Sequence, residues 1–589
     1  MKLPNLLATR KGRLVAFFLL YITEGIPLGF AATAVATQLR RMDVGPAEIG
    51  AFVGSFYLPW AFKWAFGPFI DVFVSQRLGP RRGWILITQV LMALTLLSTV
   101  MLDLPQQLGL FTIILLLHNT FGAMQDVAID ALACNTLRDD ERGLANGMMF
   151  AGAMLGSAIG GGGVLMLSSV TGFQATFYIV TACILAVTAF VVLPMKEEVP
   201  EASGVRAAGA GSRMAQAGRE MRDFAVEAFR SFLGSQGAFV GVLFSLLPAG
   251  AMCLGLALQS NLAVELGLGD DEVGLLNIWS TVTAATFCVA GGYLSDRLGR
   301  RRTLAVYMAL MSVPVFYFMN ELSRMGWVMP VPMGQTDRPA VPAVLVTGLW
   351  LSTLGYSMFQ GLMYGTRSAI MMDVTNPKVA ATQFTAYMAM GNLAIAYSAT
   401  WQGIAIEAWG YPKTMMVDGI VGLLCIALLP YMKRTVAGAG FSDEAGPRRA
   451  RGLAAGLGVM CLAWWAFAQW GDLAGAAKPI FGTLFTLVFV ASALFLLAAR
   501  AVLGPQGGWV ARVGTWLAPL LLAMYARYYL DGIGKWLEPL VDAATFKQGA
   551  EGVMLAVTLV AGLVLLLLAT QPWLAMRPVA AAAQEPVTA

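Results

Sequence analysis

The chain has 589 residues, 58% of them hydrophobic and only 12% charged, with a mean hydropathy of +0.69. Soluble domains carry about 25% charged residues, so the composition describes a protein that crosses a membrane many times. The formal net charge of +5 fits basic loops beside a bilayer, and no nucleic-acid-binding pattern accompanies it. His118 is the single histidine, which argues against catalysis by paired histidines and against a zinc site with the usual ligands. The six cysteines stand apart with no CxxC pair, and no G-x-x-x-x-G-K-S/T loop occurs. A disulfide framework, a bound metal, a cofactor and ATP-driven chemistry are therefore not expected.

At the N-terminus, Lys2, Arg10, Lys11 and Arg13 precede an apolar run, and Ala34-Val35-Ala36 resembles a signal-peptidase site. Glu24, Gly25 and Pro27 interrupt that run, and it is needed to complete a first set of six, so it reads as an uncleaved first span. A span needs about 20 mostly apolar residues. On that basis the first six are 14–38, 49–69, 84–102, 108–132, 144–167 and 173–193. After a polar stretch, six more follow at 239–261, 273–294, 303–318, 341–370, 381–404 and 415–431. In the polar stretch Met214, Ala217, Met221, Phe224, Ala228 and Phe232 recur at helical spacing, with Arg213, Arg219, Arg222, Asp223 and Arg230 between them. That pattern fits an amphipathic helix on the inner membrane surface, or else a solvated tether.

Four further candidate spans lie at 453–470, 480–499, 509–530 and 553–573. The third holds Arg527 beside Tyr525, Tyr528 and Tyr529, which equally suits a partly embedded interfacial helix, so the extension has two to four spans. The expected organisation is a first six-helix half (1–195), a cytoplasmic linker (196–237), a second six-helix half (238–432), a basic cytoplasmic loop (433–452), additional transmembrane helices (453–575) and a disordered tail (576–589). With both termini inside, the basic residues concentrate in the inner loops and linker. Arg40-Arg41, on the outside and partly offset by Asp43 and Glu48, is the exception.

The sharpest pattern is a short loop that occurs twice. Gly291-Gly292-Tyr293-Leu294-Ser295-Asp296-Arg297-Leu298-Gly299-Arg300-Arg301-Arg302 joins two spans of the second half. Gly292 suits close helix approach, Asp296 ends the first helix, Gly299 makes the turn, and Arg297, Arg300 and Arg301 hold the loop in the cytoplasm. The first half repeats it as Gly67-Pro68-Phe69-Ile70-Asp71, then Arg77-Leu78-Gly79-Pro80-Arg81-Arg82, with residues 72–76 extra. Gly67, Asp71, Arg77, Arg81 and Arg82 thus match Gly292, Asp296 and the arginines that follow. Two copies roughly 225 positions apart, each after the second span of its half, suit a parallel repeat. The loop resembles the signature of the major facilitator superfamily, which implies an all-α polytopic fold of two six-helix halves and a gating role for the loops.

Ionisable groups inside a bilayer cost several kcal/mol, so they are functional candidates by default. In the first half these are Glu24, Lys63, Asp126 and Asp130, the last two sharing one helix face. Glu24, Asp126 and Asp130 are candidates for a proton switch that couples to rocking of the halves. Lys63, Gln125, Trp60 and Trp64 are candidates to line the cavity, with Lys63 meeting an anionic group and the tryptophans stacking on a substrate. Gln360 and Asn392 join them from the second half, where Gln259, Asn261, Arg367, Asp373, Gln383, Gln402 and Glu407 are further polar positions. Bland readings stand beside these. Glu24 and Lys63 equally fit a packing pair, Asp130 a pair with Arg138 or Arg142, and Asp71 and Asp296 caps that pair with loop arginines.

A closer resemblance lies in Phe62-Lys63, Gly67-Pro68, Asp71, the run from Arg81 to Gln89, Gln125-Asp126, Asp130-Ala131 and Glu141-Arg142-Gly143. These resemble the AmpG-like muropeptide permeases within the peptide/acetyl-coenzyme A transporter branch, densely over residues 15–160 and thinly over the second half. Glu24 departs from the small or polar residue expected there, and the C-terminal extension is longer than usual. The resemblance implies a carrier in the bacterial inner membrane that imports a glycopeptide solute together with protons; a monomer is expected, and the single histidine, the missing cofactor motif and the two loop copies argue against an enzyme. Siderophore, acyl-coenzyme A and drug-like solutes remain as alternatives, as does a membrane-embedded sensor or enzyme.

Overall fold

The computed structural model describes residues 4–73, 75, 77–137, 142–197, 210–333, 338–375, 380–433, 445–469, 475, 477–524, 530, 533–534 and 541–576. Their regular structure is helical, with ten segments long and apolar enough to cross a membrane. The helical elements of the first half are α1 (Arg10–Gly29), a π-turn (Phe30–Val35), α2 (Ala36–Arg41), α3 (Pro46–Ala61), α4 (Gly67–Val72), α5 (Arg82–Ser98), α6 (Leu108–Thr136), α7 (Arg142–Ala158), a second π-turn (Ile159–Gly163), α8 (Val164–Thr171) and α9 (Phe173–Val187). Then come α10 (Ala210–Gly234), α11 (Gln236–Leu246), α12 (Ala257–Glu265), α13 (Asp270–Leu298), α14 (Arg300–Arg324), α15 (Ala343–Val374), α16 (Ala380–Trp409) and α17 (Tyr411–Leu423). The extension adds α18 (Gly446–Gln469), α19 (Ala477–Leu503), α20 (Gly508–Ala523) and α21 (Ala543–Ala569). The chain divides into two compact units, one of residues 1–218, 244–370 and 388–429, the other of 219–243, 371–387 and 430–589.

In the first unit, glycines decide which helices touch. On α7 and its π-turn Gly152, Gly156 and Gly160 lie against the carbonyls of Phe18, Ile22 and Ile26 of α1. Reciprocally, Gly25 and Gly29 of α1 lie against those of Ala153 and Ser157. A Cβ at any of these positions would overlap a main-chain oxygen, so the seam exists because the residues lack one. The loop copies share their turn. Gly79 and Gly299 both have φ +94°, and each carbonyl accepts from the N–H four residues on, of Gly83 and of Thr303. Glu197 accepts from the N–H groups of Arg81 and Arg82 at 2.9 and 3.1 Å, where a helix N-terminus favours an anion.

Two predicted spans are broken. The second is interrupted where Phe62 leaves helical geometry after Pro59, and a 3-10 turn (Lys63–Ala65) precedes α4, which opens on Gly67-Pro68. The seventh, expected to be continuous over 239–261, stops at Leu246 and resumes only at Ala257. Close approach in the second loop copy also differs from expectation. Gly291 lies against Leu362 of α15, whereas Gly292 has only an ordinary contact, and a Cβ on Gly67 would meet nothing within 4 Å.

In the second unit, α18 to α21 build one apolar core that includes Phe229 and Leu233 of α10. Phe229 stacks on Trp573 at 5.7 Å and packs against Phe495 at 5.4 Å. Arg449 donates to the carbonyls of Leu233 and Gly234 at 2.7 and 2.9 Å, ending α10. This end of the linker helix therefore buries its apolar face in protein. Met214, nearer its start, is exposed. The tyrosines and arginine at 525–529 lie outside the described residues.

Candidate functional site

The break after Pro59 delivers Lys63 from a 3-10 turn into the first half's interior, where its Nζ pairs with Asp126 of α6 at 2.8 Å. One turn on, Asp130 accepts from the Tyr21 hydroxyl of α1 at 2.6 Å. Glu24, one turn along α1 from Tyr21, is buried and has the Asp126 carboxyl as an electrostatic neighbour. Its Oε1 receives no hydrogen bond from any described residue. Beside it, Gln125 donates to the Thr23 hydroxyl at 2.8 Å, Gln89 donates to the same oxygen at 3.3 Å, and Thr188 donates to Gln89 at 2.7 Å. The cluster thus joins α1, α5, α6 and the end of α9 around three carboxyl groups and one ammonium.

Trp60 hangs above this cluster, its indole donating to Asn119 at 2.9 Å, and Asn119 in turn donates to the Phe56 carbonyl. Trp64 is half-buried in the Lys63 turn. The alternative Glu24–Lys63 pair is not the one formed, because Asp126 takes the ammonium. The side chains of Asp71, Asp296, Arg138 and Arg142 lie outside the described residues. Arg81 donates to the Ile70 carbonyl at 2.8 Å, and Arg82 to those of Val192 and Leu193. Arg297 lies over the Tyr293 ring at 4.3 Å. Arg77 and Arg301 are exposed, and Arg300 is partnered.

The second half offers a broken helix several of whose freed polar groups are met. Leu246 O accepts from the Tyr397 hydroxyl at 2.9 Å, and Pro248 O from the Cys425 thiol at 2.9 Å. Gly250, at φ +84°, donates to Gly422 O at 3.3 Å. Met252 and Cys253 both donate to Asp418 Oδ2, at 2.8 and 3.0 Å, while Gln402 donates to its Oδ1 at 2.7 Å. Unwound backbone at membrane depth survives only with such partners, and in transporters it commonly borders a solute site. Beside Gly255, at the restart, lie the Tyr356 hydroxyl and Gln360, which are 3.1 Å apart. Asn392 is half-buried on α16. Asp418 and Glu265 were absent from the sequence-derived candidates. Asp418 lies inside the expected span 415–431, where the rule for intramembrane carboxylates applies to it equally.

At the end of the first unit opposite the basic loops, the two halves meet along a polar seam. Arg40 of α2 donates through Nε and Nη2 to Glu265 of α12, which also accepts from the Tyr411 hydroxyl at 2.6 Å and from Val331 N at 3.2 Å. Arg41 pairs with Asp270 at 2.8 Å. Nearer mid-membrane, Asn277 donates to Thr33 at 3.2 Å and accepts from Gly162 N at 3.0 Å. Between these levels the Thr37 hydroxyl and both polar atoms of Asn261 are buried without a partner among the described residues. Glu407 accepts from Ala47 N at 2.9 Å, and Gly50 and Gly54 lie against Ala399 and Ala396 of α16. The basic pair that breaks the loop-charge rule is thus neutralised across the seam, by Glu265 and Asp270.

A family model described as Major Facilitator Superfamily matches residues 14–252. An Escherichia coli K12 protein named anhydromuropeptide permease is 23% identical over 443 residues, covering 72% of this chain and 81% of that one. A Rickettsia conorii protein named putative transporter AmpG 4 is 22% identical, covering 72% and 97%. An uncharacterized Haemophilus influenzae protein is 24% identical, covering 73% and 97%. Among solved structures, a D-xylose-proton symporter superposes with a TM-score of 0.52 at 13% identity, covering 71% of this chain and 96% of that one. The inward open xylose transporter of E. coli gives 0.52 at 13%, covering 73% and 98%. At such identities the structures speak for the fold alone. The chain carries the major facilitator fold with added C-terminal helices, matches that superfamily's model over residues 14–252, and resembles the AmpG permeases among its relatives.

Proposed function

We propose that this chain is a secondary transporter of the bacterial inner membrane that imports an anhydromuropeptide-like solute with protons by alternating access. The observation that carries the coupling is the buried group of Glu24, Asp126 and Asp130 around Lys63. Two ionised carboxylates buried close together repel, so Glu24 and Asp126, both buried and electrostatic neighbours, sit together best when one of them holds a proton. Loss of that proton leaves two adjacent negative charges in a dry site, and opening the site to water relieves them. The proton thereby favours one arrangement of the halves over the other. The name of the E. coli relative supports the substrate class. The seam at Arg40 and Glu265 is the closed outer face of this state, and both termini lie in the cytoplasm by the distribution of basic loops.

The test is uptake of labelled anhydromuropeptide by right-side-out vesicles bearing the protein, with and without an imposed pH gradient. Gradient-driven uptake is expected, and Glu24→Gln or Asp126→Asn should abolish its dependence on the gradient. No uptake by folded protein removes the muropeptide reading. Uptake that ignores the gradient removes the proton.

A further inference from the structure

Three arginines are buried among the described residues: Arg13, Arg40 and Arg367. Arg13 donates to the Leu7 carbonyl at 3.2 Å, and Arg40 is held by Glu265. Arg367, on α15 and 8% exposed, shows no hydrogen bond or ion pair to a described residue, and its nitrogens are not among the fully enclosed unpartnered atoms. Its guanidinium lies against the bare backbone of Gly391 on α16, where a Cβ would meet Nη2 at 2.8 Å and Nη1 at 3.3 Å. Guanidinium does not deprotonate in proteins, so this site carries a full positive charge with no carboxylate paired to it among the described residues. A buried lone charge is costly, and the fold leaves a glycine where any side chain would displace it.

The surroundings say where the charge faces. Tyr356, Gln360, Tyr364 and Arg367 fall at four-, four- and three-residue steps, so they share one face of α15. Tyr364 and Gln360 are half-buried, and Tyr364 has Tyr57 of the first half as an electrostatic neighbour. That face therefore looks across to the first half, and its upper end touches the restart of the broken helix at Gly255. Lys63, the cation that sequence patterning nominates for an anionic group, is already neutralised by Asp126.

We infer that Arg367, with the polar face of α15, is the anion-binding subsite of the solute cavity and takes a carboxylate of the transported molecule. A single planar guanidinium matches a single carboxylate in a two-bond fork. A pyrophosphate would call for several cations, and no second cation shares this face. For its substrate the inference rests on the transport reading above. It changes that reading in one respect: recognition of the solute's charge belongs to the second half, and the charged cluster of the first half is left to the proton.

Three measurements on the full chain in proteoliposomes or detergent test it. The first is uptake of labelled anhydromuropeptide and of the same compound with its carboxyl groups converted to amides. Wild type should favour the acid, and Arg367→Gln should raise the apparent KM for the acid about 10- to 100-fold, the range for one charged hydrogen-bonded contact, while leaving the amide unchanged. Arg367→Lys should recover part of the loss. The second is thermal unfolding without solute. Arg367→Gln should raise Tm, because it removes an unbalanced charge, whereas a structural arginine would lower it. The third is stabilisation of wild type by tri-alanine over tri-alanine amide, a preference that Arg367→Gln should erase. If wild type transports no muropeptide yet the second and third results hold, the subsite stands and the solute is another carboxylate. An Arg367→Gln protein with a lower Tm, or an equal response to acid and amide, overturns the inference.

Discussion

At the scale of single residues, the Lys63–Asp126 pair separates stability from function. Its members are largely withdrawn from water, at 15% and 4% side-chain exposure. Removing one partner of a buried pair leaves the other charge uncompensated and costs about 3–5 kcal/mol, while replacing both by apolar groups is often neutral or stabilising. Asp126→Leu and Lys63→Met should each lower the unfolding temperature in detergent, and the double variant should regain most of the loss. Gradient-driven uptake should stay absent in all three. A double variant as unstable as the single ones would show that the two side chains do not interact as a pair. Sequence patterning singled out both residues because each is ionisable within an apolar span. It did not reveal that they pair with each other, because the 3-10 turn that swings Lys63 toward α6 follows from Pro59 and Gly67-Pro68 acting together.

At the scale of elements, glycine placement carries most of the packing, and the glycines differ sharply in consequence. Gly29→Ala should lower Tm strongly, since a methyl would overlap the Ser157 carbonyl and force α1 and α7 apart. Gly291→Ala should do the same against Leu362, while Gly292→Ala and Gly67→Ala should be tolerated. Thermal unfolding of the four variants checks the ranking, and equal losses at Gly291 and Gly292 would contradict the observed helix approach. The two turns were legible in sequence because only a residue without a Cβ takes φ +94° at little cost, and both loop copies keep that glycine. The break after Leu246 was not legible. Pro248, Gly250 and Gly255 mark it, yet residues 239–261 are long and apolar enough to read as one span. What holds the break open is Asp418, 166 residues beyond Met252. The π-turns of α1 and α7 escaped for a related reason, since a run such as Ile159–Gly163 fits a regular helix equally well until its partner helix is known.

At the scale of the whole molecule, alternating access requires that the seam joining the halves near Arg40 and Glu265 can part. Its composition suits a reversible contact. Arg40, Glu265 and Tyr411 form a nearly dry charged network that holds the face shut. One level deeper, the Thr37 hydroxyl and the Asn261 amide are buried without a partner among the described residues, each at a cost of about 1–3 kcal/mol that water would remove on opening. The closed face is therefore held by one set of groups and opposed by another, which keeps the two arrangements close in free energy. Glu265→Gln should tip that balance. It strips the counter-ion from Arg40 in the closed state, where the charge is dry, and matters far less once water reaches it. With the native cysteines replaced and Thr37→Cys introduced as a reporter, labelling by a membrane-impermeant maleimide should speed up at least about tenfold in Glu265→Gln, a shift that needs only about 1.4 kcal/mol. Tyr411→Phe, which removes one hydrogen bond from the same carboxylate, should act in the same direction and less. Exchanging both Arg40 and Glu265 for methionine should slow labelling again, because an apolar seam closes without a charge to hydrate. Labelling that is indifferent to Glu265 would mean that the seam stays shut throughout the cycle and that the solute enters by another route.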